Sequence, residues 1–142
     1  MRVGPTLDKI VADYPKDVRL VYKMHPLPMH KNAMPAAEAA MAANAQGKFG
    51  AMHEKLYANS SALSRDKYIE LATALGLDMK RFTNDIDTEA YKKTIEAQTE
   101  EVMKVGASGT PACFINGRFL SGAQPYEAFK KIIDEELAKA TK

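Results

Sequence analysis

The sequence has a single cysteine, no tryptophan and few aromatic residues, which make up 8% of its 142 residues. Cys113 alone excludes an internal disulfide, and no cluster of Cys and His has the spacing of a zinc site. The sequence also lacks a strong excess of positive or negative charge, since it contains 20 Lys and Arg and 18 Asp and Glu, which gives a net charge of +2. We therefore expect no nucleic-acid partner. No apolar run approaches the roughly 20 residues that a bilayer span needs, and no secretion signal is recognisable.

The N-terminal part combines a helical pattern with a strand-like one. Leu7, Ile10 and Val11 recur at helical spacing and predict a helix, which Pro15 ends because a residue before proline avoids the α region. The run Val18–Met24 is rich in β-branched and aromatic residues and predicts a strand.

The middle of the chain has helical patterns throughout. The alanine-rich run Ala36–Ala45 predicts a helix that ends at Gly47, a glycine expected in the left-handed conformation. Ser64 and Asp78 are expected to cap two further helices at their N-termini. A longer helix is predicted from about Thr88 to Val105. Because these helices are rich in alanine, we expect a compact helical block.

The last part of the chain has the pattern of a hairpin followed by a helix. Asn116 and Gly117 form a strong hairpin signal, since a type I′ turn needs positive φ at both central residues. The hairpin strands are predicted at Ala112–Ile115 and Arg118–Ser121. A helix is predicted over Tyr126–Ala140, with Pro125 at its start.

Three stretches together resemble the DsbA-like branch of the thioredoxin superfamily. The first, Gly106–Gly117, looks like that family's loop, cis-proline and hairpin. The second, Gly122–Pro125 followed by Phe129, looks like the start of its final helix. The third, His25–Ala33, looks like the exit of a strand into an inserted helical domain. The likeness extends over essentially all of the 142 residues.

The resemblance implies an α/β, thioredoxin-like fold with an inserted helical subdomain. The thioredoxin-like part is expected over residues 1–31 and 106–142, and the insertion over 32–105. The family places a redox Cys-x-x-Cys pair at the N-terminus of a helix that Gly4–Asp13 resembles, and Arg2 and Val3 look like the residues after the second cysteine. We therefore expect the chain to begin just after that motif and to lack both the catalytic dithiol and the strand or strands before it.

The resemblance also points to individual site residues. It implies that Pro111 is cis and that Thr110 and Pro111 face the redox pair and an extended substrate, so both are predicted to bind substrate. Cys113 has two interpretations, a lone nucleophile that could form an intermolecular disulfide, or an inert thiol in the core. The inert thiol is favoured because free cysteines usually pack as small hydrophobic residues.

The other titratable residues give no clear indication of a functional site. The remaining candidates for metal binding or acid–base catalysis are three histidines and three glutamates: His25, His30, His53, Glu38, Glu54 and Glu70. Nothing in the sequence brings the histidines together, and the glutamates lie on different predicted helices. We therefore expect no metal, no cofactor and no carboxylate pair.

A missing strand would have consequences for the sheet. In a thioredoxin-like sheet it would lie between Val18–Met24 and Ala112–Ile115, leaving a gap of roughly 9–10 Å between them. Backbone groups orphaned on both sides would each cost about 1–3 kcal/mol. We therefore expect a repair, in which either the two strands pair with each other or a second chain lends a strand, through a homodimer or strand exchange.

The resemblance implies a thiol–disulfide oxidoreductase that acts on extended or unfolded polypeptides, inactive as given because the Cys-x-x-Cys is absent. A first alternative is a non-catalytic polypeptide-binding or assembly module on the same scaffold. A second is a glutathione-dependent relative, for which the sequence has no supporting signature. Members of this branch usually work outside the cytoplasm, which implies a periplasmic or extracytoplasmic location, although no signal peptide supports it.

Overall fold

A computed structural model describes residues 3–140, and Arg2 therefore lies outside the described residues. In this part of the chain there are seven helices and two strands, in the following order: α1 Gly4–Asp13, α2 Ala33–Asn44, α3 Phe49–Ala58, α4 Arg65–Ala74, α5 Met79–Asp87, α6 Lys92–Lys104, β1 Ala112–Ile115, β2 Arg118–Ser121 and α7 Tyr126–Ala140. No helix within residues 3–140 has both the length and the apolar character to cross a membrane.

The chain divides into two compact units. The first, here called the hairpin unit, contains the residues up to Tyr22 and those from Met103 onward, and the second, the helical unit, is Lys23–Val102. Each unit has a hydrophobic core of its own.

The hairpin unit is built from α1, α7 and the strands β1 and β2. Its core consists of five buried side chains, one just before α1, two within α1 and two in the first half of α7: Val3, Leu7, Ile10, Phe129 and Ile133. The inner side chains of the hairpin, including Cys113, Ile115 and Leu120, pack against this core. The helices therefore cover one face of the hairpin.

Two reciprocal tyrosine–aspartate contacts join α1 to α7 at the surface. The Tyr14 hydroxyl donates to Asp134 Oδ1 and the Tyr126 hydroxyl donates to Asp13 Oδ2, each at 2.6 Å. Hydrogen bonds from Lys9 and then Tyr126 lower the pKa of Asp13, and the bond to Asp13 raises the pKa of Tyr126 to about 12. Both helices are thus held by charge-assisted hydrogen bonds outside the apolar core.

The predicted hairpin is confirmed. β1 and β2 pair antiparallel with Ile115 opposite Arg118, and the two turn residues have positive φ, 48° at Asn116 and 83° at Gly117. These are the signs of φ that a type I′ turn requires, and glycine adopts them without steric cost.

The helical unit packs α2 against α3, α4 and α5. Four alanines of α2 are buried in its core together with larger side chains such as Met52 and Phe82. Because alanine has a small side chain, α2 can approach its neighbours closely, as the composition predicts.

The predicted helix ends of this unit are also confirmed. Ser64 Oγ accepts a hydrogen bond from the Lys67 N–H at 3.2 Å, and Asp78 Oδ1 accepts one from the Arg81 N–H at 3.0 Å. Gly47 follows α2 with φ 73°.

The predicted strand at Val18–Met24 is wrong, since this segment pairs with no strand in residues 3–140. Its composition suits a pleated surface, but a strand also needs a neighbouring strand to take up its backbone groups. Side chains of α6 do this at one end, where Met24 N–H donates to Gln98 Oε1 at 2.7 Å and the Thr99 hydroxyl donates to Met24 O at 3.4 Å. The expected pairing of this segment with Ala112–Ile115 is therefore absent from the described part of the chain.

The long helix predicted over Thr88–Val105 is shorter in the structure and begins at Lys92. Glu89 has a left-handed backbone with φ 51°, which interrupts a right-handed helix. Glu38, buried in α2, accepts the Tyr91 N–H through Oε2 at 3.1 Å. A carboxylate from another helix thus serves as the partner of this backbone group at the start of α6, which local periodicity does not reveal.

Candidate functional site

The loop before β1 is the centre of the candidate site. Within residues 106–111, Ala107 is buried, whereas Ser108, Gly109 and Thr110 are exposed. The peptide bond between Thr110 and Pro111 is cis, the geometry that the resemblance implies. Ala107 therefore anchors the loop while its polar backbone is presented at the surface.

A pocket of about 260 Å³ lies along this loop. Its lining consists of small, uncharged residues and one aromatic ring: Gly106, Ser108, Gly109, Thr110, Pro111, Ala112, Phe119, Ser121 and Gly122. Both predicted substrate-binding residues, Thr110 and Pro111, are among them.

The sequence analysis did not identify the contribution of β2 to this pocket. Phe119 and Ser121 come from the second strand, and Ala112 stands opposite Ser121 in the hairpin. Counting back from the Asn116–Gly117 turn could have found this pairing, because a two-residue turn sets the register of both strands.

The hairpin has two chemically different faces. On its outer face, Phe114 and Phe119 stand opposite each other with ring centroids 5.0 Å apart, and they are 39% and 47% exposed. On its inner face, Arg118 donates to Glu135 Oε2 at 2.5 Å and to Glu136 Oε1 at 3.3 Å. Hydrogen bonding from Arg118 lowers the pKa of Glu135. These contacts fix the hairpin on α7, so its aromatic face points away from the core.

Charge is nearly absent from the whole region. Between Val105 and Tyr126, Arg118 is the single charged residue, and its guanidinium is paired with the two carboxylates of α7. The loop, the pocket and the outer hairpin face therefore form a neutral surface.

Cys113 lies on the inner face of β1 and is half-buried against the core of the hairpin unit. This burial raises the pKa of its thiol. A reactive cysteine needs the opposite, a neighbouring positive charge or helix N-terminus that stabilises the thiolate. The position supports the interpretation of Cys113 as an inert thiol.

We expect Cys113 to react slowly with thiol reagents in the folded chain. Because it is the sole cysteine, the colour released by an aromatic disulfide reagent reports on this thiol alone. Burial and the raised pKa should slow labelling at neutral pH by about tenfold or more relative to the urea-unfolded chain. Labelling as fast as in the unfolded chain would contradict the inert role. The variant Cys113→Ser, which has no thiol, measures the background colour of the assay.

The structure brings none of the other candidate groups together as a metal site, since residues 3–140 contain no cluster of three or more His, Cys, Asp or Glu side chains suited to a metal ion. Both ring nitrogens of His25 are buried without a hydrogen-bond partner, and so is Glu38 Oε1. Burial raises the pKa of Glu38, partly offset by the hydrogen bond from Tyr91 N–H. Glu38 accepts the Tyr91 N–H just before α6, so its role is structural.

Comparison with known proteins places this geometry in a family. The family model described as the DSBA-like thioredoxin domain matches residues 3–134. The structure is similar to that of the thiol-disulfide exchange protein alpha-DsbA2 from Wolbachia pipientis, with a TM-score of 0.78 and 19% identity, over 94% of this chain and 72% of that chain. At this identity the similarity shows the thioredoxin-like fold alone.

Curated relatives are much longer than this chain. It is 34% identical over 116 residues to the Na(+)/H(+) antiporter NhaA of Herminiimonas arsenicoxydans, a match that covers 82% of this chain and 18% of that protein. It is 33% identical over 137 residues to the Na(+)/H(+) antiporter NhaA 3 of Salinispora tropica, covering 96% of this chain and 21% of that protein. The chain thus spans about a fifth of the length of these relatives.

Proposed function

The chain belongs to the DSBA-like thioredoxin domain family, and we propose that it serves thiol–disulfide exchange on proteins by binding an extended polypeptide beside Thr110 and Pro111. The observation that carries this proposal is the neutral pocket along the loop, bordered by the exposed ring of Phe119. Such a surface suits a peptide backbone and an apolar side chain rather than a charged ligand.

The size of the pocket supports a polypeptide as the ligand. Pockets for small molecules and cofactors usually enclose about 300–1,000 Å³, whereas this one measures about 260 Å³. A space of this size suits a single side chain. The exposed loop beside it offers backbone groups to an extended segment, a recognition mode in which main-chain hydrogen bonds give affinity and a pocket gives specificity.

The exchange chemistry itself requires two thiols. A thiolate attacks the substrate disulfide, and a second thiol resolves the mixed disulfide that forms. These 142 residues contain only Cys113, which is half-buried with a raised pKa. In this proposal the chain binds the polypeptide and the dithiol comes from outside these residues, so the chain alone does not catalyse exchange. Extracytoplasmic compartments, where disulfides form and persist, are the location that this role implies.

A second candidate function is a non-catalytic polypeptide-binding module. The same observation on Cys113 favours it, because a binding module needs no activated thiol. The two functions differ in what happens to a bound disulfide. Joined to residues that supply the dithiol, an exchange domain should accelerate the reduction of a disulfide-containing peptide by added dithiothreitol, whereas a binding module should bind that peptide and leave the rate unchanged.

We expect Phe119→Ser to weaken polypeptide binding about tenfold, because the ring that borders the pocket is removed. The measurement is fluorescence anisotropy of a labelled, uncharged peptide with apolar residues at alternate positions. The same peptide with glutamate at those positions should bind more weakly to the wild-type chain, because its charges would be desolvated against a neutral surface.

The matched control is Phe114→Ser. Phe114 has the same side chain on the same face of the hairpin and a similar exposure, but it does not line the pocket. Binding of the peptide should change less than about twofold in this variant. Equal losses in both variants, or no binding of the peptide by the wild-type chain, would overturn the proposed site.

A further inference from the structure

The helical unit contains a buried carboxyl group that the proposed function does not use. Glu38, on α2, is 4% exposed, and its neighbours Ala37 and Ala39 on the same helix are buried as well. Glutamate is almost never buried to this extent without a partner, because its charge is costly to remove from water. The surroundings of this side chain therefore decide which protonation state the fold accepts.

The hydrogen bonds of Glu38 fit the neutral acid better than the anion. Oε2 accepts the Tyr91 N–H at 3.1 Å, whereas Oε1 is buried without a hydrogen-bond partner within residues 3–140. The two oxygens of an ionised carboxylate act only as acceptors and have room for about four hydrogen bonds. A protonated carboxyl can use its carbonyl oxygen for the Tyr91 N–H, which leaves a neutral hydroxyl on the other oxygen. Burying that hydroxyl costs less than burying a charge.

The charges around Glu38 also oppose its ionisation. Two other carboxylates act on it, those of Glu89 in the link between α5 and α6 and of Glu96 in α6. Lys92 favours the anion, but its ammonium lies 2.7 Å from Glu89 Oε2 and its side chain is 44% exposed. Burial has the largest influence and raises the pKa of Glu38, and the hydrogen bond from the Tyr91 N–H offsets only part of this effect.

The helices that pack against α2, which are α3, α4 and α5, carry titratable groups of their own. Tyr68 of α4 is 4% exposed, and burial raises the pKa of its phenol, so it stays neutral at physiological pH. Asp85 of α5 accepts the Tyr91 hydroxyl through Oδ2 at 3.2 Å. His53 of α3 stacks against two aromatic rings of the same helix. A comparison of chains that differ only at Glu38 therefore isolates the buried carboxyl from these groups.

We propose that Glu38 is a proton-dependent latch, which holds the segment just before α6 against α2 while it is a neutral acid and loosens this contact when it ionises. The latch acts where the chain is not yet helical, since Glu89 has φ 51° and α6 begins at Lys92. The Tyr91 N–H therefore takes its acceptor from α2. An ionised Glu38 needs water around both oxygens, and water reaches them only if this segment moves away.

The direction of the pH dependence follows from the raised pKa of Glu38. Between the ordinary pKa of glutamate, 4.5, and the raised value, the folded helical unit holds a proton that the unfolded chain has lost. Stability from this group is fully present below the ordinary value and falls as pH rises, by up to about tenfold in the folding constant per pH unit. Groups such as Asp87, whose pKa is lowered by a hydrogen bond from Arg65, act in the opposite direction at lower pH.

The test is urea unfolding of the wild-type chain and of Glu38→Gln, followed by amide resonances of the helical unit. Glutamine keeps the shape of the side chain and an oxygen for the Tyr91 N–H, but it does not ionise. At about pH 4 the folding constants of the two chains should agree within about threefold. At about pH 8 that of the variant should be about tenfold or more higher, because the wild-type chain must then bury a charge or release the proton.

Two measurements on the wild-type chain need no variant. The carboxyl carbon of Glu38, followed by nuclear magnetic resonance, should titrate at a higher pH than that of an exposed glutamate. The Tyr91 amide, after correction for the pH dependence of exchange in an unfolded peptide, should lose protection by about tenfold or more between about pH 5 and pH 8.

The matched control is Glu54→Gln, which makes the same change at an exposed position on α3 of the same unit. Because this carboxyl is in contact with water in the folded and the unfolded chain, the ratio of folding constants to the wild type should be the same at both pH values. An equally constant ratio for Glu38→Gln, or titration of the Glu38 carboxyl at the ordinary value for glutamate, would overturn the proposal. If Glu38→Gln fails to fold, the carboxyl titration of the wild-type chain decides.

Discussion

Replacing Phe129 by alanine should lower the free energy of unfolding of the hairpin unit by about 3–5 kcal/mol. Phe129 is 2% exposed and belongs to a core of five buried residues, so the loss leaves a cavity between α1, α7 and the hairpin that few neighbours can fill. A domain is typically stable by about 5–15 kcal/mol. The remaining free energy of unfolding of the hairpin unit should therefore be close to zero in this variant.

Urea denaturation monitored by amide resonances of the two units measures this effect. Signals from residues such as Ile10 and Leu120 should be lost at lower urea concentration than in the wild type. Phe114→Ala is the matched control, because it removes the same ring from an exposed position and should cost less than about 1 kcal/mol. Equal destabilisation by the two variants would contradict the assignment of Phe129 to the core.

Met52→Ala should lower the free energy of unfolding of the helical unit by about 2–5 kcal/mol. Met52 is 0% exposed in the core of this unit, next to the buried alanines of α2. The neighbouring residues on that side are alanines, whose side chains are too short to fill the space that Met52 leaves. The cost should therefore lie toward the upper end of this range.

Met29→Ala provides the control within the same unit. Met29 is 76% exposed, so its removal should change the unfolding free energy by less than about 0.5 kcal/mol. Thermal unfolding followed by helical circular dichroism compares the two variants. If Met52→Ala were as mild as Met29→Ala, the assignment of Met52 to the core of this unit would be wrong.

The helix ends and the hairpin could be predicted because their causes are local. Ser64 and Asp78 each bind an N–H three residues further along the chain, and Asn116 with Gly117 meets the backbone requirement of one turn type. Such features need no information about distant parts of the chain. Thr110 and Pro111 were identified in a different way, through the resemblance of residues 106–117 to a known family.

The predictions from sequence were wrong where residues distant in the chain determine the backbone conformation. Val18–Met24 has the composition of a strand, but within residues 3–140 no strand lies beside it. The start of α6 depends on Glu38, 53 positions earlier than Tyr91. The site shows the same limit, since Phe119 and Ser121 reach the pocket only because the hairpin returns beside the loop.

By itself, the sequence determined the family resemblance, the order of most helices and the hairpin, since periodicity, capping and turn chemistry act over a few neighbouring residues. It also determined that these residues hold one thiol. Only the tertiary structure decided that Cys113 lies half-buried against α1 and α7 and that Phe114 and Phe119 share an exposed face. Burial, pKa and strand pairing depend on which remote segments come into contact, and that is set by the packing of the whole unit.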